Sequence, residues 1–185
     1  MEVEKEVRFL VDDKAWDNAL KVSDKYKEKV KMLDITMGAY GRESLAKTGR
    51  IFRVRQKPNK VTLEVKQRTT EGWLEESVKL ESVNQGVNFL TLAGLKPYLY
   101  ISRFREVRKY KGLKIFFDDV ELLGKFIEVE YQDSVDAEKE LQEFINICKI
   151  KNNPQPLYGD IINERYNKDE VFKQKFDEVL DNLIN

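Results

Sequence analysis

In the segment Gly124-Lys125-Phe126-Ile127-Glu128-Val129-Glu130, charged and apolar side chains alternate directly after a glycine. Successive side chains of a β-strand point to opposite faces, so Glu128 and Glu130 share one face, while Ile127 and Val129 share the other. A glycine at this point is typical of the turn that leads into a strand. The segment therefore predicts a β-strand with one charged and one apolar face.

Similar strand patterns recur along the chain. Together they predict eight strands, at about 2–11, 30–38, 50–57, 60–67, 73–80, 98–109, 113–120 and 125–132. Most of the joins are hairpin-like, as at Pro58-Asn59. Helices are predicted for about 15 residues after Asp12 or Asp13 and at about 86–93, 135–150 and 168–184. The pattern favours an α+β fold in which a closed eight-stranded antiparallel β-barrel is flanked by helices.

Length and composition favour one folded domain. The 185 residues are 41% hydrophobic and 36% charged, which is enough for a packed core. The one proline-rich spot is Asn152-Asn153-Pro154-Gln155-Pro156. We therefore expect a single domain over residues 1–185, with a C-terminal helical appendage from about residue 152.

Charge and residue types exclude several classes of function. The 33 Lys and Arg residues balance 33 Asp and Glu residues, so no bulk charge attracts a nucleic acid or a membrane surface. There is no histidine, which excludes Ser-His triads and histidine-ligated zinc. The lone Cys148 cannot pair within the chain, and no apolar run reaches the ~18–20 residues of a membrane helix. We expect a cytoplasmic protein that binds neither nucleic acid nor membrane; the oligomeric state is open.

The charged face is the most informative feature of the predicted strands. Its members include the pairs Glu4 and Glu6, Arg53 and Arg55, Arg103 and Arg105, and Glu128 and Glu130. Carboxylate pairs suit the hard cations Mg²⁺ and Mn²⁺, and arginine and lysine side chains suit phosphate oxygens. If this face lined a barrel, the sequence would predict a polar tunnel for a polyphosphate. The alternative is an outer face that carries surface salt bridges, each of which contributes little to stability.

Five segments, in this order along the chain, resemble motifs of the CYTH superfamily. They are Glu4-Lys5-Glu6-Val7-Arg8-Phe9, Ile51-Phe52-Arg53-Val54-Arg55, Thr62-Leu63-Glu64-Val65-Lys66, Ile101-Ser102-Arg103-Phe104-Arg105-Glu106 and the block from Phe117 to Glu130. These triphosphate tunnel metalloenzymes include class IV adenylyl cyclases and thiamine triphosphatases. The resemblance implies one CYTH-like domain whose eight-stranded tunnel binds a triphosphate with Mg²⁺ or Mn²⁺ and cleaves a phosphoanhydride.

The resemblance also implies roles for individual residues. The implied metal ligands are Glu4, Glu6, Asp118, Glu128 and Glu130. The implied triphosphate contacts are Arg8, Arg53, Arg55, Lys66, Arg103 and Arg105. Lys66 is in addition a candidate proton acceptor. The family often has a second acid after the one that matches Asp34, and this chain lacks it.

The segment Leu157-Tyr158-Gly159-Asp160-Ile161-Ile162 is similar to a stretch frequent in the cyclase-like branch, although Leu157 replaces its serine. Tyr158 is a candidate lid residue over the tunnel mouth; the alternative is a tyrosine anchored in the core. The resemblance favours conversion of ATP to cyclic AMP and pyrophosphate. Two alternatives remain open: hydrolysis of thiamine triphosphate, a nucleoside triphosphate or tripolyphosphate, and a non-catalytic module that binds polyphosphate or nucleotide.

Overall fold

A computed structural model describes residues 4–70 and 72–184, without the side chains of Glu4, Trp73 and Ile184. The strands are β1 (Glu4–Leu10), β2 (Asp24–Gly38), β3 (Arg50–Lys57), β4 (Lys60–Thr69), β5 (Gly72–Leu80), β6 (Lys96–Tyr110), β7 (Leu113–Val120) and β8 (Gly124–Gln132). The helices are α1 (Asp13–Val22), α2 (Ser44–Thr48), α3 (Val83–Leu92), α4 (Val135–Cys148), α5 (Tyr158–Lys168) and α6 (Glu170–Ile184). None of the helices in this described part is long and apolar enough to span a membrane.

The strands form an antiparallel eight-stranded sheet in the order β1-β8-β7-β6-β2-β3-β4-β5. The predicted α+β class with eight strands and flanking helices is confirmed. Over residues 4–70 and 72–184 the pairing order ends at β1 and β5, so the predicted closure into a barrel is not confirmed. Closure depends on hydrogen bonds between strands far apart in sequence, which the alternation within each strand does not specify.

The first helix is shorter than predicted. As expected, Asp12 caps it and accepts a hydrogen bond from the Ala15 amide at 2.8 Å. However, the helix ends at Val22, and the backbone of Ser23 is already extended. The next residues join β2, which is 15 residues long. For the residues from Asp24 onward, strand pairing therefore outweighs the propensity to continue the helix.

The chain divides into two compact units, unit 1 (Met1–Val30 with Arg103–Leu157) and unit 2 (Lys31–Ser102 with Tyr158–Asn185). In unit 1, one face of β1, β7 and β8 is apolar and packs against α1 and α4. Phe9, Phe117, Ile127 and Phe144 are almost fully buried there. Cys148 lies in the same cluster, where burial raises the pKa of its thiol to about 12. This cysteine is therefore a core residue and not a nucleophile.

In unit 2, α3 packs closely on the apolar side of β3 and β5 at a glycine. A Cβ atom on Gly86 would lie 2.6 Å from Leu80 Cδ1 and 2.8 Å from Val54 Cγ2. Both distances are well inside van der Waals contact, and the β-branched Val54 is buried and cannot easily rotate away. The glycine therefore sets how closely the helix approaches the sheet.

We expect Gly86→Ala to destabilise the protein. Overpacking costs about 1–3 kcal/mol, whereas the gain in helix propensity is about 1 kcal/mol, so the expected net loss in the free energy of unfolding is about 1 kcal/mol. Urea denaturation measures it. Asn88→Ala, at an exposed position of the same helix, is the control and should stabilise slightly. Equal stabilisation by both changes would show that α3 can shift away without cost.

Candidate active site

Unit 1 carries a charged cluster on the sheet face opposite its apolar core. The strand register pairs Glu6 with Glu130, Arg8 with Glu128 and Arg105 with Asp118. Alternation along each strand then brings the other charged side chains to the same face. We define the unit 1 cluster as Glu6, Arg8, Arg103, Arg105, Lys114, Asp118, Glu128 and Glu130.

Glu128 lies at the centre of the unit 1 cluster and is buried. Arg8 donates from Nε and Nη2 to Glu128 Oε2 at 3.0 and 2.6 Å, and Arg105 Nη2 donates to Oε1 at 3.0 Å. Burial opposes ionisation of this carboxyl, but the charges of Arg105 and Arg8 outweigh it and lower the pKa of Glu128. Glu128 is therefore an anion held between two guanidinium groups.

Glu6 is a second carboxylate in the same cluster, and it is 47% exposed. It forms an ion pair with Arg8 Nη2, which also binds Glu128. Partial burial, followed by the negative charge of Glu128, raises the pKa of Glu6. Two carboxylates this close repel each other, and a divalent cation relieves such repulsion. The oxygen donors of Glu6 and Glu128 therefore fit Mg²⁺ or Mn²⁺.

The other predicted metal ligands differ in their surroundings. Asp118 is fully buried, and Arg105 donates to its two oxygens at 2.7 and 2.5 Å. Glu130 accepts from Lys114 Nζ at 2.7 Å. The side chain of Glu4 lies outside the described residues. Among the side chains that the structure describes, no group of three or more histidine, cysteine, aspartate or glutamate residues is arranged so that it could hold a metal ion.

Unit 2 carries a charged cluster of its own on β2, β3, β4 and β5. The register pairs Asp34 with Arg55, Arg53 with Glu64, and Lys66 with Glu75. These six residues define the unit 2 cluster.

The contacts within the unit 2 cluster follow this register. Arg55 donates to both oxygens of Asp34 at 2.6 and 2.8 Å. Arg53 Nε donates to Glu64 Oε2 at 2.8 Å, and Lys66 Nζ lies 2.5 Å from Glu75. Each cation therefore has a carboxylate partner that orients it.

The predicted phosphate contacts all lie on these charged faces. Arg8, Arg103 and Arg105 belong to unit 1, and Arg53, Arg55 and Lys66 belong to unit 2. Asp34, Glu64 and Lys114 were not predicted as site residues. Asp34 and Glu64 are the buried partners of the arginines, and Lys114 binds Glu130. Lys114 and Asp118 lie four residues apart on β7, and this even spacing was the signal that could have shown their shared face.

Tyr158, predicted as a lid residue, is the first residue of α5 and is buried within unit 2. The next turn of the helix carries Ile162, which is also buried. Burial is what the core alternative requires, and the lid role stays a prediction.

The two clusters share a chemical property that suits a highly charged anion. Their guanidinium groups are already held by carboxylates, so a phosphate ligand would find them oriented. Several of the carboxylates are buried, and breaking such pairs is costly. The arginines are therefore fixed donors for oxyanions, and the Glu6–Glu128 pair is a candidate cation site.

Several solved structures share the fold of this chain. In solved structures, the PH1819 protein of Pyrococcus horikoshii is similar, with a TM-score of 0.66 and 22% identity over 88% of this chain and 99% of that chain. A candidate adenylate cyclase from Vibrio parahaemolyticus has a TM-score of 0.61 and 15% identity, over 86% of this chain and 97% of that one. A candidate adenylyl cyclase from Hippeastrum, described as having a dominant triphosphatase activity, has a TM-score of 0.56 and 19% identity, over 81% and 89%.

No curated protein sequence matches the chain. At these identities, the structural similarities show a shared fold. The family model for the CYTH domain, in contrast, matches residues 2–155, which include both charged clusters. On that match, the chain belongs to the CYTH family.

Proposed function

We propose that this protein hydrolyses a phosphoanhydride bond of a triphosphate in a reaction that requires Mg²⁺ or Mn²⁺. The observation that carries the proposal is the Glu6–Glu128 carboxylate pair beside Arg8 and Arg105. Phosphate binding alone would need the arginines but not two adjacent carboxylates. An acidic pair next to oriented arginines is what a metal–triphosphate complex requires.

In this proposal, Glu6 and Glu128 hold the metal, with Glu130 as a further candidate ligand. The bound metal supplies charge neutralisation at the phosphate oxygens and orients the attacking oxygen. Arg8, Arg103 and Arg105 of unit 1 donate to phosphate oxygens, and the family motifs give the same role to Arg53, Arg55 and Lys66, which are described within unit 2. Charge that develops on those oxygens during cleavage is stabilised by donors that need no reorganisation.

Lys66 fits the role of a phosphate contact better than that of a proton acceptor. Its ammonium group lies 2.5 Å from Glu75, and an ammonium group has no lone pair to accept a proton. The same contact lowers the pKa of Glu75, which keeps this carboxylate charged. We propose that Glu75 positions Lys66 toward the phosphate.

Cyclisation of ATP to cyclic AMP and pyrophosphate is the second candidate. It is favoured by the resemblance of residues 157–162 to the cyclase-like branch and by the candidate adenylate cyclase from Vibrio parahaemolyticus among the similar structures. Because Tyr158 and Ile162 in that segment are buried in α5, no side chain of theirs is an exposed contact for a nucleoside. We therefore place hydrolysis first.

A panel of ATP, GTP, thiamine triphosphate and tripolyphosphate, each with Mg²⁺ or Mn²⁺, tests the proposal. We expect phosphate and the corresponding diphosphate as products, and loss of turnover in excess EDTA. Chromatography separates the outcomes. Cyclic AMP with pyrophosphate would replace hydrolysis by the second candidate, and tight binding without any product would identify a non-catalytic module.

A second prediction concerns ligand binding without turnover. Tripolyphosphate with Mg²⁺ should raise the melting temperature more than inorganic phosphate with Mg²⁺ at the same concentration. The reason is that ligands that bind the native state stabilise it by mass action, and a longer anion meets more of the arginines. Differential scanning fluorimetry at matched ionic strength measures the shifts. Equal shifts would argue against a site of triphosphate length.

A further inference from the structure

Three lysines lie together at the hairpin end of the charged face of unit 2. Lys57 ends β3 and Lys60 begins β4, with only Pro58 and Asn59 between them. The register places Lys57 opposite Lys60, and Thr62 of β4 opposite Lys79 of β5. Lys57 continues the alternation of Arg53 and Arg55 on β3. The three lysines therefore extend the face that carries the unit 2 cluster.

These lysines differ from the neighbouring cations in their contacts. Arg53, Arg55 and Lys66 each have a carboxylate partner. Across residues 4–70 and 72–184, neither Lys57, Lys60 nor Lys79 forms an ion pair or a side-chain hydrogen bond. Like charges directly opposite each other destabilise a pair of antiparallel strands. The described residues form no ion pair with these three lysines, and the carboxylates that attract Lys57, those of Glu64 and Asp34, are already paired with arginines.

The local electrostatics agree with that contact pattern. Partial burial and the charge of Arg55 lower the pKa of Lys57, the carboxylates of Glu64 and Asp34 oppose this change, and the charge of Lys60 adds to it. The N-terminus of α3 is close by, because Gln85 in its first turn lines the same cavity as the lysines. Helix N-termini carry a partial positive charge. The like charges of Arg55 and Lys60 and the helix N-terminus favour an anion.

A cavity of about 710 Å³ opens between these groups. The three lysines line it together with Gln56, Asn59 and Gln85, whose amide groups include hydrogen-bond donors. Gln85 is held in place as part of the helix cap. Its backbone amide donates to Ser82 Oγ at 3.1 Å, and its side-chain Oε1 accepts from the backbone amide of Glu81 at 2.9 Å. Glu81 is the single carboxylate residue among the described residues that line the cavity.

We infer that this cavity, which we name the lysine cavity, binds a phosphate-class oxyanion. The site is separate from the paired arginines of the unit 2 cluster and needs no metal, because its donors are already cationic. Three ammonium groups against one carboxylate leave a surplus of positive charge that a phosphate dianion would balance. This inference does not depend on hydrolysis or cyclisation of a triphosphate.

Isothermal titration of the full chain with inorganic phosphate in EDTA tests the inference. The buffer is matched in ionic strength with chloride, so that general screening is removed. We expect saturable binding by the unaltered protein, and at least about tenfold weaker binding by the triple variant Lys57→Gln/Lys60→Gln/Lys79→Gln. The variant should melt at the same or a higher temperature in chloride, because like-charge repulsion is removed, which also shows that it folds.

Two control variants make the result specific. Lys14→Gln/Lys21→Gln/Lys175→Gln changes the net charge by the same amount at exposed lysines elsewhere and should bind phosphate as the unaltered protein does. Arg50→Gln, at the opposite end of β3, should also retain it, because Arg50 is exposed and does not line the cavity. Equal weakening by both lysine triples would show a diffuse charge effect. Loss of binding in the arginine variant, or no saturable binding by the unaltered protein, would equally overturn the inference.

A further titration tests whether the ligand is free phosphate or a phosphoryl group on a larger molecule. Titration with glycerol 2-phosphate, a monophosphate ester, is compared with inorganic phosphate. Weaker binding of the ester identifies free phosphate as the ligand, and equal or tighter binding identifies a phosphoryl group on a larger molecule. Both results support the oxyanion site. A triphosphate assay of the same variants then keeps the two proposals apart, because phosphate binding in EDTA is measured whether or not turnover exists.

Discussion

Glu6→Gln should lower metal-dependent turnover of the best triphosphate substrate by at least about 100-fold, which corresponds to about 2.7 kcal/mol of transition-state stabilisation. The substitution keeps the size of the side chain and one oxygen, but it removes the negative charge beside Glu128. Initial rates at a series of Mn²⁺ concentrations measure the loss. We expect that excess Mn²⁺ restores part of the rate, since a weakened ligand set still binds the metal.

The Glu6→Gln variant should lose activity without losing stability. The pKa of Glu6 is raised in the folded protein, so its ionisation is less favourable there than in the unfolded chain. Ionised Glu6 therefore opposes folding at pH values above its ordinary pKa, and that contribution fades as the pH falls. Glu6→Gln should leave the melting temperature at pH 7 unchanged or higher.

Glu138→Gln is the matched control for the metal prediction. Glu138 lies in unit 1 and pairs with Lys5 at 3.3 Å, outside the unit 1 cluster. Its replacement should leave turnover unchanged. A Glu6→Gln variant with full activity would remove Glu6 from the metal site. Lost activity together with a markedly lower melting temperature would instead indicate a structural role.

Asp118→Ala is expected to have the largest effect on stability, a loss of about 3–5 kcal/mol in the free energy of unfolding. Asp118 is fully buried and binds Arg105 through both of its oxygens. Its removal leaves guanidinium charge on Arg105 with one carboxylate fewer, in a place where water does not replace it. Urea denaturation followed by circular dichroism measures the change.

The neighbouring Asp119→Ala is the control, because Asp119 points to the other face and is only half-buried. It should cost less than about 1 kcal/mol. The double variant Asp118→Ala/Arg105→Met should recover part of the loss, since it also removes the stranded charge. If Asp118→Ala alone costs no more than the control, then the aspartate is solvated in solution and is free to act as the metal ligand that the sequence predicted.

The faces of the strands were determined by the sequence alone. Alternation is a local property, so Ile127 and Val129 were placed on the apolar face and Glu128 and Glu130 on the charged face before any pairing was known. The capping role of Asp12 followed from an equally local pattern. The match of residues 2–155 to the CYTH domain is consistent with this, because the family motifs are themselves short segments on single strands.

Only the tertiary structure decided which charges neutralise each other. Arg55 and its partner Asp34 are 21 residues apart, whereas Arg8 and Glu128 are 120 apart. Such contacts depend on strand order and register, and a shift of one residue would turn the whole charged set to the other face. For the same reason, the sequence did not single out Glu64 as a partner of Arg53. It did not indicate the lysine cavity either, because Lys57 and Lys60 pair across a hairpin and Lys79 lies on a different strand.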